Sequence, residues 1–269
     1  MKAIILAAGR GQRLHPYTQD RPKCQLSIAG RTLLEWQLEA LRYCGVSDVC
    51  IVKGYAGALI PDSIRSYLNP DYATTNMVAS LFCAAAEMSG PCIVSYSDII
   101  YEPRVLRTLL NAGTGDIEVV VDVGWLDYYR RRCPDPYTEA ESLVCGEDWT
   151  IFDIGRSAPL RNEIQGQFIG LICLTTLGAR VFLECFNKWR LDFWEKPWMR
   201  GRSLKTAFMT DFLQALIDDG VPICAIPVQH GWLEFDNVQD YEHVQAWHKE
   251  RSMDSLFSFE WADVSGANK

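Results

Sequence analysis

The pattern of this chain predicts an α/β fold: a doubly wound, mostly parallel sheet with an elaborated C-terminal half. Three observations carry that prediction. Residues 2–8 (KAIILAA) form a continuous apolar run, the kind of strand that is covered on both faces of a parallel sheet. Strand-like and helix-like stretches then alternate as far as residue 123, which calls for right-handed crossovers between parallel strands. The composition is that of a globular protein: hydrophobic residues make up 48% and charged residues 22% of 269 positions, with Gly 19 and Pro 12. Disordered, collagen-like and low-complexity chains are thereby excluded.

The elements follow in order. After the first strand, a polar loop runs to about residue 29. Residues 32–44 place Leu33, Leu34, Leu38 and Leu41 mainly on one helical face, and Gly45 supplies a stop. A strand at 48–53, helices at 58–68 and 78–88, a strand at 91–97 ending at Asp98, a helix at 103–111 and a strand at 117–123 complete the regular half. Beyond it, residues 124–165 mix turn formers, charges and short strand candidates at 142–145 and 150–155. A strand at 166–174, a helix at 176–187, a tryptophan-rich stretch at 189–202, a helix at 204–219, a strand at 221–227 and a last helix at 238–249 follow. No repeat or linker cuts the chain, so residues 1–250 are expected to form one domain, with halves at about 1–123 and 124–250. Residues 251–269 are expected to be a polar tail that frays.

Charge and cysteine usage bound the function. A net charge of -8 disfavours a nucleic-acid polymer as partner, although a few cations in one loop can still dominate a local anion site. The N-terminal apolar run is too short for a signal-peptide core, and no stretch reaches the length needed to span a bilayer, so a soluble, cytoplasmic protein is expected with no membrane partner. Ten scattered cysteines without a C-x-x-C pair read as buried thiols rather than a disulfide framework or a zinc site.

In a doubly wound sheet, ligands bind beyond the carboxyl ends of the strands. That rule selects Gly9 to Arg13, Gly54-Tyr55 and Asp98. Two glycines flank Arg10 directly after the first strand, where consecutive backbone N–H groups can cradle an anion and glycine allows phosphate to approach. Arg10, Arg13, Arg21 and Lys23 add positive charge, and Asp20 is the one acid between residues 10 and 25. Position 14 is Leu, so the loop is neither a dinucleotide fingerprint nor a P-loop.

The complete string L-A-A-G-x-G-x-R-L followed by Arg21-Pro22-Lys23 resembles the signature of nucleotidyltransferases that activate phosphorylated small molecules with an NTP. The resemblance implies a Rossmann-like nucleotidyltransferase fold of the GT-A-like kind. It also implies a loop of Gly9, Arg10 and Gly11 around the triphosphate, with the backbone of Leu6, Ala7 and Ala8 beside the base and Arg13 and Lys23 as catalytic cations. Asp98 and Glu234-x-Asp236 match the family's metal-binding carboxylates. Similar chains often carry a second acid before the strand-end aspartate. Here Tyr96 and Ser97 precede it, so Mg²⁺ binding is expected to rest on Asp98 and Asp236.

Y-x-x-x-N-x-x-x-S-L, carried by Tyr72, Asn76, Ser80 and Leu81, resembles the CTP:phosphocholine cytidylyltransferases and relatives acting on phosphonates. The segments G-Q-F-I-G-L and E-F-D-N-V-Q-D-Y resemble the same group. Asn76 and Ser80, four residues apart, would share a helix face toward the nucleotide. CTP and a small phosphorylated or phosphonate acceptor are therefore the expected partners. A sugar-1-phosphate enzyme using UTP or dTTP, or a nucleotide-binding regulator without turnover, are the alternatives.

On the acceptor side the residues leave two readings open. Trp189, Trp194 and Trp198 would either cage an ammonium group by cation–π attraction or pack in the core. Arg200, Arg202 and Lys205 suit an anionic acceptor instead, and Arg130 to Arg132 with Glu139 and Glu141 pose the same choice. Trp194, Trp198, Arg200, Gln167 and Glu234 are the acceptor-side candidates. Asp211 is either structural or an acceptor-side acid.

Overall fold

The computed structural model describes residues 1–253 and 255–262. Its centre is a seven-stranded sheet built from β1 (Lys2–Ala7), β2 (Asp48–Lys53), β3 (Arg65–Leu68), β4 (Cys92–Tyr96), β5 (Ile117–Asp122), β6 (Gln167–Leu174) and β7 (Cys224–Val228), in the order β7-β5-β6-β4-β1-β2-β3. All pairings are parallel except those of β6, which runs antiparallel between β4 and β5. The central β1 is registered with Lys2 opposite both Asp48 and Cys92.

The alternation of side chains along β1 divides the core in two. Ala3, Ile5 and Ala7 face a layer formed by α1 (Leu33–Tyr43), α3 (Pro103–Leu110), α4 (Trp125–Arg132) and α7 (Val238–Glu250). Ile4, Leu6 and Ala8 face the layer of α2 (Met77–Cys83), α5 (Thr176–Phe193) and α6 (Met209–Asp218). Covering both faces is why β1 reads as unbroken apolar sequence, and each fully buried Ile or Leu contributes roughly 1.5–3 kcal/mol. No helix among the described residues is long and apolar enough to cross a membrane. All ten cysteines are free thiols.

Two helix starts bear on the site. Thr32 caps α1, its hydroxyl accepting from the Glu35 amide at 3.1 Å while the Glu35 carboxylate accepts from the Thr32 amide at 2.7 Å. Asn237 caps α7, its side-chain oxygen accepting from the Asp240 amide at 3.0 Å, while the Asp240 carboxylate accepts from the Asn237 amide at 3.2 Å.

The structure departs from the sequence expectations in five places. Residues 58–68 are not a helix: a 3-10 turn at Gly57–Leu59 leads past Pro61 to the edge strand β3, which completes the parallel sheet. Helix α4 lies in the stretch expected to be irregular. Its inward positions Trp125, Tyr128, Tyr129 and Arg132 keep helical spacing, but a buried arginine in the apolar stripe hides the pattern. Helix α5 extends to Phe193. Helix α6 begins only at Met209, because Pro197–Met199 and Arg202–Ser203 form a hairpin and Leu204–Thr206 a 3-10 turn. Finally, the segment after α7 does not fray through residue 262. Leu256 and Phe257 are buried, and Phe259 and Trp261 pack against Trp36 in tilted and edge-on contacts with ring centroids at 5.0 and 5.4 Å. Residues 263–269 of the expected tail lie outside the described residues.

Candidate active site

Two clefts, of about 460 Å³ and about 380 Å³, open along the carboxyl ends of the strands and meet at Asp98 and Asp236. Asp98 follows β4 in a tight turn into Ile99–Tyr101, which pairs antiparallel with Trp232–Glu234. That short ladder places Glu234 opposite Ile99, and the Phe235 amide donates to the Asp98 carbonyl at 2.9 Å. Two aspartates 138 positions apart are thereby brought to one ammonium: Lys23 Nζ donates to Asp98 Oδ2 at 2.7 Å and to Asp236 Oδ1 at 3.2 Å. Arg13 Nη2 donates to the same Asp236 oxygen at 3.1 Å.

Burial works against the charge on Lys23, but Asp98 and Asp236 beside it hold its pKa above the ordinary value. Burial likewise raises the Asp236 pKa, and Lys23 and Arg13 more than offset it, leaving that carboxyl below its ordinary value. The second oxygen of Asp98, Oδ1, is buried with no hydrogen-bond partner in the structure. Among the described residues no group of three or more His, Cys, Asp or Glu side chains is arranged to hold a metal, so Asp98 and Asp236 are a two-carboxylate set.

The first cleft is bounded by the glycine loop. Leu6, Ala8, Gly9, Arg10, Gly11 and Arg13 line it on one side, and Asn76 and Ser80 on the other. Gly11 has φ 62, a left-handed conformation that disfavours a side chain, and its carbonyl accepts from Thr18 Oγ1 at 2.7 Å. A Cβ at Gly9 would meet no protein atom within 4 Å. Nothing in the free fold demands glycine there, and the open space belongs to the cleft. Asn76 caps α2, its amide donating to the Lys205 carbonyl at 3.1 Å. The Ser80 hydroxyl accepts from Asn69 Nδ2 at 3.0 Å.

Gln167 and Glu234 line the second cleft, with Tyr129, Arg132, Glu141 and Phe208. Arg132 is the organising group there. It forms a two-pronged pair with Asp240, Nε to Oδ1 and Nη2 to Oδ2 both at 3.0 Å, and Nη1 donates to Glu234 Oε2 at 2.8 Å. Asp240 Oδ2 also accepts from the Asp236 amide at 3.0 Å, so Arg132 fixes the aspartate's backbone through Asp240. Burial, with Asp236 close by, pushes the Glu234 carboxyl above its ordinary value despite Arg132. Burial also pushes Glu141 from 4.5 to about 7.

Six sequence-selected residues lie outside both clefts. Ala7 packs in the core beneath the loop. Gly54 is a packing glycine: a Cβ there would lie 2.6 Å from the Ala8 carbonyl oxygen and 2.7 Å from Tyr72 Cβ. The Tyr55 amide donates to that same carbonyl at 3.0 Å, and Arg10 sits over the Tyr55 ring at 5.6 Å, so Tyr55 supports the loop from behind. Trp194 and Trp198 form no ammonium cage. Their rings pack on Phe186, Trp189 and Phe212, Trp194 from the C-terminal cap of α5 and Trp198 from the Pro197–Met199 strand of the hairpin that follows. Arg200 contacts no cleft either. Its guanidinium donates to the carbonyls of Ile154 and Gly155, both at 2.6 Å, and lies 3.4 Å from Asp211. Asp211 is structural, accepting from the Phe208 amide at 2.9 Å.

Sequence reasoning missed Gln37, Phe208 and Asp240. Gln37 is fully buried on α1, and its Nε2 donates to the carbonyls of Tyr96 and Ile99 at 2.8 and 2.6 Å, clamping both sides of Asp98. The available signal was a glutamine among the inward leucines of an amphipathic helix. Within Arg130 to Arg132 the three side chains separate: Arg132 is buried, Arg131 donates to the Ser252 carbonyl at 2.9 Å, and Arg130 is exposed.

Residues 3–143 match the MobA-like NTP transferase domain. Over 254 residues the chain is 30% identical to a CTP:phosphoglutamine cytidylyltransferase from Campylobacter jejuni, covering 90% of this chain and 98% of that one. It is 29% identical to a choline-phosphate cytidylyltransferase from Streptococcus pneumoniae over 159 residues, covering 57% of this chain and 63% of that one. A solved structure of the CTP:phosphocholine cytidylyltransferase from Streptococcus pneumoniae superposes with a TM-score of 0.68 at 21% identity, over 91% of this chain and 97% of that one, which shows a shared fold.

Proposed function

The chain belongs to the MobA-like NTP transferase family of nucleotidyltransferases, and from that membership we propose that it transfers CMP from CTP to a small phosphorylated or phosphonate acceptor and releases pyrophosphate. The observation that carries this reading is the meeting of two clefts at the Lys23–Asp98–Asp236 cluster. A nucleotide cleft and an acceptor cleft that share one charged junction are what an in-line displacement requires. The similarity to two cytidylyltransferases supports CTP as the donor. In this reading residues 1–123 supply most of the nucleotide side and residues 124–250 most of the acceptor side.

An oxygen of the acceptor attacks the α-phosphorus of CTP, the new P–O bond forms, and the bond to the β-phosphate oxygen breaks with pyrophosphate as leaving group. A phosphate monoester loses its second proton near about pH 6, so at neutral pH its attacking oxygen is ionised and no general base is needed. The backbone at Gly9 and Gly11 lets the phosphates approach, and Asn76 and Ser80 line the opposite wall. Arg13 and Lys23 hold fixed positive charge where the pentavalent phosphorus develops negative charge. Arg132 and Asp240 keep Asp236 in place, and Gln37 keeps Asp98 in place.

The donor set fits Mg²⁺, which takes few carboxylates and fills its shell with phosphate oxygens and water. Asp98, with its buried and unpartnered Oδ1, and Asp236 would hold it. Bound there, Mg²⁺ supplies charge neutralisation across the triphosphate.

The experiment that tests the reading is pyrophosphate release with each of four NTPs against phosphocholine, aminoethylphosphonate, hydroxyethylphosphonate, phosphoamino compounds and glucose 1-phosphate. Turnover with CTP and a phospho- or phosphono-acceptor is expected. Turnover confined to UTP or dTTP with the sugar phosphate would replace it.

A further inference from the structure

We propose that Asn69, which lines neither cleft, is a positioning residue that sets which base the first cleft accepts, by fixing the hydrogen-bond sense of Ser80 and Thr75. The proposal rests on the cytidylyltransferase reading and names the groups that tell cytosine from uracil.

The sheet gives the first cleft a direction. Asp98 follows β4 and the glycine loop follows β1, whereas Asn69 directly follows the edge strand β3, three places from β4 and so about 14 Å across the sheet. The phosphates belong at the charged junction, which leaves the β3 end for the base, and there Thr75 and Ser80 line the wall. Asn69 is 2% exposed, and its amide donates to the Lys53 carbonyl at 2.8 Å, extending the pairing of β3 with β2. Its side chain is held in one sense. Oδ1 accepts from the Asp71 amide at 3.0 Å, which turns Nδ2 toward both hydroxyls, Thr75 Oγ1 at 2.9 Å and Ser80 Oγ at 3.0 Å.

A serine hydroxyl left to itself donates or accepts, and so reads neither base. With Asn69 donating to it, the Ser80 hydroxyl keeps a proton that no described residue accepts. Ser80 is buried against the cleft, so that proton needs a ligand atom as its partner. Its second lone pair serves no ligand donor without stranding the proton. Thr75 is fixed in the opposite sense. Its hydroxyl donates to the Asp71 carbonyl at 2.9 Å and accepts from Asn69, and what it still offers is a lone pair. The wall therefore presents one donor and one acceptor, side by side because both oxygens share one amide nitrogen. Cytosine carries an acceptor at N3 beside a donor at its 4-amino group, and uracil carries the reverse, N3–H beside O4. Cytosine satisfies both hydroxyls. Uracil leaves the Ser80 proton unpaired and sets its O4 against the Thr75 lone pair, and a site built to pair a polar group discriminates most strongly against a ligand that leaves it unpaired.

The test measures the dissociation constants of CTP and UTP by calorimetry with no acceptor present, so that their ratio within each variant depends neither on turnover nor on the fraction folded. The wild type is expected to bind CTP at least about tenfold more tightly than UTP, the scale of one buried polar group left unpaired. In Asn69→Asp the new carboxylate takes the Ser80 proton and Ser80 turns a lone pair to the cleft, so the preference is expected to fall by at least about tenfold. Asn69→Ala, which frees both hydroxyls without adding charge, lowers it as well. Ser80→Ala keeps Asn69 on Asp71 and Thr75, leaves the fold of that turn intact and is expected to lower the preference by at least about tenfold. A preference for CTP that survives in Ser80→Ala, or in both Asn69 variants, would overturn the inference and leave cytidylyl transfer standing. A wild type that binds UTP as tightly as CTP would also overturn it, and pyrophosphate release confined to UTP or dTTP would remove the cytidylyltransferase reading with it.

Discussion

At the scale of single residues, the site is a set of charges held against one another. Lys23 lies between Asp98 and Asp236, and the backbone beside each carboxylate is held by a buried side chain, Gln37 at Asp98 and Asp240 at Asp236. Replacing Lys23 or Asp98 with Ala is expected to lower kcat by at least about a hundredfold, the effect of removing a key electrostatic element. Steady-state pyrophosphate release checks this, and near-wild-type turnover in both variants would remove them from the catalytic set. Glu141 gives a prediction on stability. Its folded pKa, about 7, lies above the ordinary 4.5. The stability from its bound proton is therefore fully present below about 4.5 and lost as pH rises through about 7. Glu141→Gln, which never ionises, should melt at a higher temperature than the wild type at pH 8, and the gap should narrow toward pH 4.5. Thermal melts across that range measure it, and a gap independent of pH would contradict the assignment.

At the scale of elements, the turn after β4 depends on α1. Gln37→Leu leaves the Tyr96 and Ile99 carbonyls without their side-chain donor and the Ser95 hydroxyl without Gln37 as acceptor, which costs about 1–3 kcal/mol. Urea unfolding should show the loss together with a fall in kcat, since Asp98 sits inside that turn. An unchanged midpoint would mean that the turn holds itself. Much of the sheet was legible from local pattern: β1, β2, β4 and β5 follow from apolar runs, and α1 from its periodicity and stop. The glycine loop, Lys23, Asp98 and Asp236 were legible because complete motifs carried them. What stayed hidden depends on residues far apart in the chain. Edge strand β3 exists because β2 offers it a partner. Helix α4 turns Arg132 inward only because Asp240, on α7, lies there to receive it. Trp194 and Trp198 could not be separated from a ligand cage until the end of α5 and the hairpin after it were placed against Phe186 and Phe212.

At the scale of the whole molecule, the sheet supplies a rigid edge and two layers of helices bring distant segments to it. The first cleft is framed mainly by the first half, whereas the second half contributes Phe208 and Asp236 to it and forms most of the other cleft. The net charge of -8, unpromising for an anionic ligand, is locally reversed by Arg10, Arg13 and Lys23 along the loop. It agrees instead with the second cleft, which is rich in carboxylates. The most direct measurement follows phosphorus through one reaction: the protein, Mg²⁺, CTP and aminoethylphosphonate, with products resolved by ³¹P NMR. A CMP-phosphonate anhydride and pyrophosphate appearing in equal amounts is the expected result. CTP left intact with this and every other phospho- or phosphono-acceptor, while UTP or dTTP reacts with a sugar 1-phosphate, would contradict it.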